Sequence, residues 1–306
     1  MSISVHISDV SKSYSGVKAL DKISLSISRG ELFGFIGPDG AGKTTLFRIL
    51  TTLLLPDKGK AVVEGYDTVK DYKKIRQIAG YMPGRFSLYQ DLSVEENLKF
   101  FASIFKTTLK ENYHLIKDIY QQIEPFKTRL AGQLSGGMKQ KLALSCALIH
   151  KPAILFLDEP TTGVDAVSRK EFWEMLAKLK KENITILVST PYMDEASRCD
   201  RVALMQEGKI LSVDSPQEIV KNYKYPLIAV KSANMYRLLF DVLAYPGTLN
   251  AYRSGEFIHA AMRDTGTQDG LRNSLEEKGH ESLMLKDIVP DVEDCFMALM
   301  TINQEP

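Results

Sequence analysis

The run Gly37-Pro38-Asp39-Gly40-Ala41-Gly42-Lys43-Thr44, followed by Thr45, has the spacing G-x-x-x-x-G-K-[ST]. That spacing suits the holding of a chain of phosphates. Glycines let the backbone curl until several N–H groups face one phosphate. A helix starting beside Lys43 adds the partial positive charge of its N-terminus. The Lys43 ammonium would neutralise the β- and γ-phosphates, and the Thr44 hydroxyl would ligate Mg²⁺. A second group, Asp158-Glu159, ends the apolar run Ile154-Leu155-Phe156-Leu157. Asp158 would reach the Mg²⁺ shell. Glu159, pointing the other way along a strand, would polarise a water for in-line attack on the γ-phosphate. A third stretch, Leu134-Ser135-Gly136-Gly137-Met138-Lys139-Gln140, lies upstream of Asp158. Its Ser and paired glycines stand at an expected helix start.

These residues need elements to hold them. Residues 32–36 are apolar and end in the glycine-rich turn, and residues 44–53 carry helical spacing. That order is strand, loop, helix. Two more apolar strands are expected at 154–157 and 184–188, with a helical segment at 168–181 between them. Strands buried on both faces and alternating with helices indicate a parallel sheet covered by helices. Residues 3–10 and 23–27 alternate apolar and polar, as half-buried strands of an antiparallel sheet do. Residues 93–150 read as a helical insertion. The expected fold is α/β: a parallel-sheet core with an antiparallel β subdomain and a helical subdomain, spanning residues 1–222. After a linker at 222–226 comes a small α+β module, residues 223–306. Its strand candidates are 228–230, 249–252, 257–261 and 282–285; its helices are 235–243, 267–278 and 292–300.

Composition excludes several classes. With 306 residues, 44% hydrophobic and 25% charged, the chain is long enough for a sizeable core. Lys plus Arg number 39 against 38 Asp plus Glu, a balance that makes no electrostatic case for nucleic acid as a partner. No apolar run approaches the ~18 residues of a bilayer span. Residues 1–10 lack a basic start followed by an apolar stretch, so no signal peptide is expected. Cys146, Cys199 and Cys295 lie far apart without metal spacing and read as reduced packing residues of a cytoplasmic protein.

In this order the motifs resemble the ATP-binding subunit of ABC transporters, over about residues 3–222. The resemblance implies the P-loop NTPase fold, ATP and Mg²⁺ as cofactors, and ATP hydrolysis coupled to transport. Leu134–Gln140 matches the family signature; Ser135, Gly136, Gly137 and Gln140 would then serve ATP held by the opposite subunit of a head-to-tail dimer. Tyr14 matches the aromatic that stacks on adenine, with Val17 beside it. Thr162-Gly163-Val164-Asp165 matches the D-loop, with Asp165 at its acidic position. The implied location is the cytoplasmic face of the cell membrane, bound to a permease subunit. The docking surface would be the segment 85–97 and the helix after it, with Phe86, Leu88 and Tyr89 as an exposed apolar cluster.

Two positions depart from the family pattern. Gly84 occupies the place of a Gln that contacts Mg²⁺ and the attacking water, and Pro191 the place of a His that contacts the γ-phosphate. Neither residue has a polar side chain, so retained ATP binding with impaired hydrolysis at the chain's own site is expected. The intact signature would still complete the site of a different ATPase in a heterodimer. The stretch Pro290-Asp291-Val292-Glu293-Asp294-Cys295-Phe296 resembles the closing P-x-x-E-D-x-F segment of ABC-2 type exporters, with Asp291 as a candidate N-cap.

Overall fold

The computed structural model describes residues 2–264 and 267–302. They fall into two compact units, Met1–Val213 and Asp214–Pro306.

In the first unit, β1 (Ile3–Tyr14) and β2 (Val17–Ser28) form an antiparallel hairpin. Its turn residues Ser15 and Gly16 are both left-handed, at φ 47° and 88°, as a twist-matched two-residue turn requires. Both strands run past the alternating segments read from sequence, because the turn extends pairing to Tyr14 and Val17. Next come β3 (Leu32–Ile36), α1 (Lys43–Leu50), β4 (Lys58–Val63), β5 (Tyr66–Asp67), α2 (Tyr72–Ile78) and β6 (Ala79–Met82). The helical segment holds α3 (Val94–Ile104), α4 (Tyr113–Tyr120) and α5 (Gly136–Leu148). The core resumes with β7 (Ile154–Asp158), α6 (Ala166–Lys181), β8 (Thr185–Thr190), β9 (Arg201–Gln206) and β10 (Lys209–Asp214).

Two sheets result. One has the order β2-β1-β4-β5; the other is β10-β9-β3-β8-β7-β6, with parallel pairing from β9 through β6. Strands β3, β7 and β8 are buried along their whole lengths, which explains their unbroken apolar runs. Phe33, Phe35, Phe47 and Phe156 form a chain of ring contacts at 5.1, 5.6 and 5.8 Å. This chain packs α1 against β3 and β7. It thereby fixes the two strand ends that carry the phosphate loop and Asp158 to one another. Both groups sit at the carboxyl ends of parallel strands, where open α/β sheets place ligands.

The second unit begins with α7 (Pro216–Lys221), followed by β11 (Leu227–Lys231), α8 (Met235–Leu243), β12 (Thr248–Ser254), β13 (Phe257–Met262), α9 (Thr267–Glu277), β14 (Met284–Asp287) and α10 (Val292–Ile302). Sequence reading placed residues 214–222 with the first unit. They belong to the second because α7 packs on α10, with Cys295 Sγ 3.6 Å from the Ile219 carbonyl. From β11 to β14 the order is β-α-β-β-α-β, and the antiparallel sheet runs β12-β13-β11-β14. That is the ferredoxin-like arrangement. Ile228, Val230, Ala251, Ile258 and Ala260 face α8 and α9 in one apolar cluster. The alternate residues meet α10: Tyr252 donates to Asp294 Oδ1 at 2.6 Å, and His259 Nδ1 lies 2.8 Å from the same oxygen. Asp291 and Asp294 each accept the other's backbone N–H, at 3.0 and 2.9 Å. Asp291 therefore does cap α10, and Asp294 pins the helix to the sheet.

Candidate active site

The phosphate loop is shaped by two left-handed glycines, Gly40 at φ 81° and Gly42 at φ 99°. Close approach also excludes larger residues. A Cβ on Gly37 would lie 2.1 Å from the Met205 carbonyl oxygen, and one on Gly42 2.4 Å from that of Ala19. Gly42 precedes α1 without a side-chain cap, so the first N–H groups of α1 face the loop's interior. Asp39 and Gly40 are exposed, whereas Ala41 is buried. The Lys43 ammonium is buried and donates to the carbonyls of Gly37 and Pro38 at 2.7 and 2.9 Å. It stands 3.4 Å from Glu159 Oε1.

Register carries the rest of the site. Asp158 pairs with Ser189 across β7 and β8, and Ile36 pairs with Thr190 across β3 and β8. Asp158 is buried; its Oδ1 receives the Thr44 hydroxyl at 3.1 Å and the Ser189 hydroxyl at 2.6 Å. Glu159 is left-handed at φ 50°, a conformation that costs of order 1 kcal/mol or more and persists only when its surroundings enforce it. Its N–H is held by the Ser189 carbonyl and hydroxyl, both at 3.0 Å. Burial, reinforced by the Asp158 charge, pushes the Tyr81 phenol up to about 12, so the ring facing the Asp158 charge is neutral.

Tyr14 and Val17 are exposed at the tip of the β1–β2 hairpin. Ala19 and Leu20, close to Val17 in β2, pack on Gly42, which brings that tip beside the phosphate loop. Ser135 caps α5 and receives the Met138 N–H at 3.4 Å. A Cβ on Gly137 would meet Ser168 Oγ at 2.9 Å, and one on Gly136 would meet the Gly163 carbonyl at 3.8 Å. Asp165 caps α6 through the N–H groups of Ser168 and Val167, which hold its carboxyl below the usual range. The family resemblance points Gln140 at the partner's ATP. Here its amide donates inward, to the carbonyl of Pro160.

The same geometry exposes residues that sequence reading missed. Ser189 is one; a hydroxyl ending a fully buried apolar strand was the available signal. Glu195 is another: nearly fully buried, it accepts the Thr161 hydroxyl at 2.9 Å, and Arg169 stands 3.9 Å away while lying over the Tyr192 ring. This network braces the segment after Pro191 against the start of the D-loop. The expected cluster Phe86, Leu88, Tyr89 is not one exposed patch. Leu88 is buried, Phe86 lies under the Lys139 ammonium, and Tyr89 alone is widely exposed. The buried Asn97 amide spans this loop, bonding Tyr89 N–H and the carbonyls of Tyr89 and Leu92. Beside it a cavity of about 290 Å³ is lined by Leu53, Met82, Leu88, Phe101, Phe105 and His150.

Among the described residues no cluster of three or more His, Cys, Asp or Glu could hold a metal by itself. The converging oxygens of Thr44 and Asp158 instead fit a hard cation shared with a phosphate.

The family description "ABC transporter" matches residues 20–162. The Nod factor export ATP-binding protein I of Rhizobium sp. (strain N33) is 31% identical over 301 residues, covering 97% of both chains. This chain belongs to the ABC transporter ATP-binding proteins. A probable multidrug ABC transporter ATP-binding protein of Escherichia coli (strain K12), YbhF, is 37% identical over 92% of the chain. The chain spans about half of that relative's length, 49%. Among solved structures, cbiO1 from Clostridium perfringens superposes with TM-score 0.64 at 29% identity, covering 72% of this chain and 92% of that one. A dimeric post-hydrolysis ATP-binding cassette, MJ0796 with ADP and Pi, gives TM-score 0.62 at 26% identity, over 69% and 98%.

In this ABC protein Gly84 is more than a missing side chain. A Cβ built on it would lie 3.0 Å from the Asp158 carbonyl oxygen, so the loop backbone lies close against the end of β7. At Pro191 the chain lacks an N–H, and the next N–H, of Tyr192, turns back to Thr190 Oγ1 at 3.1 Å.

Proposed function

We propose that this chain is the ATP-binding and ATP-hydrolysing subunit of an exporter whose membrane permease is a separate chain. The observation that carries this reading is the convergence of Lys43, Thr44, Asp158, Glu159 and Ser189 at the ends of three adjacent parallel strands. In this reading the Tyr14 ring stacks on adenine, and the loop N–H groups and Lys43 hold the phosphates. Thr44 and Asp158 would ligate Mg²⁺, which when bound neutralises charge on the β- and γ-phosphate oxygens. Glu159, steadied by Ser189, orients a water toward the γ-phosphate and accepts its proton. Two ATPase subunits face head to tail, so that Ser135 and Gly136 of each close on the other's ATP. Exporting roles are supported by the names of relatives, which include Nod factor export and daunorubicin resistance proteins. The permease docks at the cavity beside Leu88 and Tyr89, on the cytoplasmic face of the membrane. Among the described residues no helix is long and apolar enough to cross a membrane.

Gly84 and Pro191 favour a second reading: a module that binds ATP, turns it over slowly, and completes the site of a different ABC ATPase in a heterodimer. Losing one polar contact to a transferring phosphoryl group costs about 3 kcal/mol, roughly a hundredfold in rate. The two readings separate on nucleotide binding and steady-state hydrolysis by the purified chain, compared with Glu159→Gln and with Gly84→Gln/Pro191→His. A wild type that turns over freely, and loses turnover only in Glu159→Gln, supports the first. A wild type that binds ATP yet is far slower than the double variant supports the second. No nucleotide binding would sink both.

A further inference from the structure

Between the Gly84 loop, the start of α5 and the turn after β7 lies a cavity of about 150 Å³. Glu159 lines it from one side and Gly136 and Gln140 from the other. Gly84 offers it no side chain. Gln140 carries the single carboxamide among its lining residues, and that amide donates to the Pro160 carbonyl. Pro160 follows Glu159 directly, within a turn closed by Thr162 N–H on the Glu159 carbonyl at 3.2 Å. The peptide carrying Glu159 is thus held twice: on its N-terminal side by Ser189 of the sheet, and on its C-terminal side by Gln140 of the helical segment. Two more contacts join the same helix to α6. Lys141 pairs with Glu171 at 2.8 Å, and Gly137 packs against Ser168.

We propose that Gln140 is a positioning residue through which the signature helix and the catalytic turn of the same chain move together. It supplies, from the helical side, a link between nucleotide site and helical segment that Gly84 cannot make. The inference rests on the nucleotide-site reading above. A hydrogen bond to the carbonyl of Pro160 acts one peptide away from Glu159, and Pro160 is a buried residue, where an unmade bond is costly. Displacing α5 must therefore either break this bond or carry the turn with it. ATP bound to the chain's own loop would reach the signature that serves the partner's ATP by this route.

Hydrogen exchange across residues 135–148, with and without Mg-ATP, tests it in the full-length wild type, Gln140→Ala and Gln140→Glu. The Glu variant is isosteric and sets an acceptor against the Pro160 carbonyl; it carries the test if the Ala variant folds poorly. The expected result is nucleotide affinity within about threefold of wild type in both variants, with the nucleotide-induced change in α5 protection lost. A change of wild-type size in either folded variant would overturn the proposal, as would affinity falling tenfold or more together with the protection change. A wild type that binds no ATP would instead remove the nucleotide-site reading itself.

Discussion

The Ser189 hydroxyl lies 2.6 Å from Asp158 Oδ1, and it accepts the N–H of the next residue, Glu159, at 3.0 Å. One buried side chain thereby orients both acids. Ser189→Ala leaves a buried carboxylate short of a donor, a loss of about 1–3 kcal/mol. Turnover should fall about tenfold or more, with a higher Mg²⁺ requirement and ATP affinity nearly unchanged. Steady-state hydrolysis across a Mg²⁺ titration checks this. An unaltered Mg²⁺ dependence would remove Ser189 from the site.

Glu159→Gln keeps the shape of the site and removes the carboxylate proposed as its base. Hydrolysis should drop on the order of a hundredfold or more while ATP still binds. Sedimentation of the variant with ATP should then show a larger associated fraction than wild type, because the closed state no longer decays.

Single substitutions at the two departures should behave differently. Pro191→His adds a donor at a position with no backbone N–H to lose, and is expected to raise turnover. Gly84→Gln must first move the loop, since its Cβ would start 3.0 Å from the Asp158 carbonyl. It should therefore lower the melting temperature before it helps catalysis. Parallel melting curves and rates for the two variants decide the point.

His150 stacks on Phe105 at 3.7 Å, and its Nε2 lies 3.2 Å from the Ala79 carbonyl. Burial pushes its pKa down to about 4. The unfolded chain takes up this proton near pH 6.5 and the folded chain does not until about pH 4. Stability is therefore lost as pH falls through that window, by on the order of 2–3 kcal/mol. His150→Phe keeps the stack and should flatten the fall of melting temperature between about pH 6.5 and 4.

Asp294 is buried against Tyr252 and His259. Asp294→Ala leaves both without their acceptor and removes the carboxylate that receives the Asp291 N–H. The second unit should lose about 2–4 kcal/mol of stability, read from denaturant unfolding of the full chain. ATP affinity should not change.

The candidate site of this protein was legible in its sequence wherever one continuous segment carries it. The phosphate loop depends on local backbone freedom at Gly40 and Gly42, and the strand ending in Asp158-Glu159 announces itself by its apolar run. The helices 235–243 and 292–300 follow from their own spacing and caps. Tertiary structure decided what depends on register and packing between distant segments. Ser189 meets Asp158 only because β7 and β8 pair in parallel with those residues opposite. Gln140 turns inward because α5 lies against the Pro160 turn, and Leu88 is buried because the helical segment closes over it. Residues 214–222 join the second unit because α7 finds its apolar partner in α10, some seventy residues away, as between Ile219 and Cys295. A spacing rule sees neighbours along the chain; burial and hydrogen bonding are settled by neighbours in space.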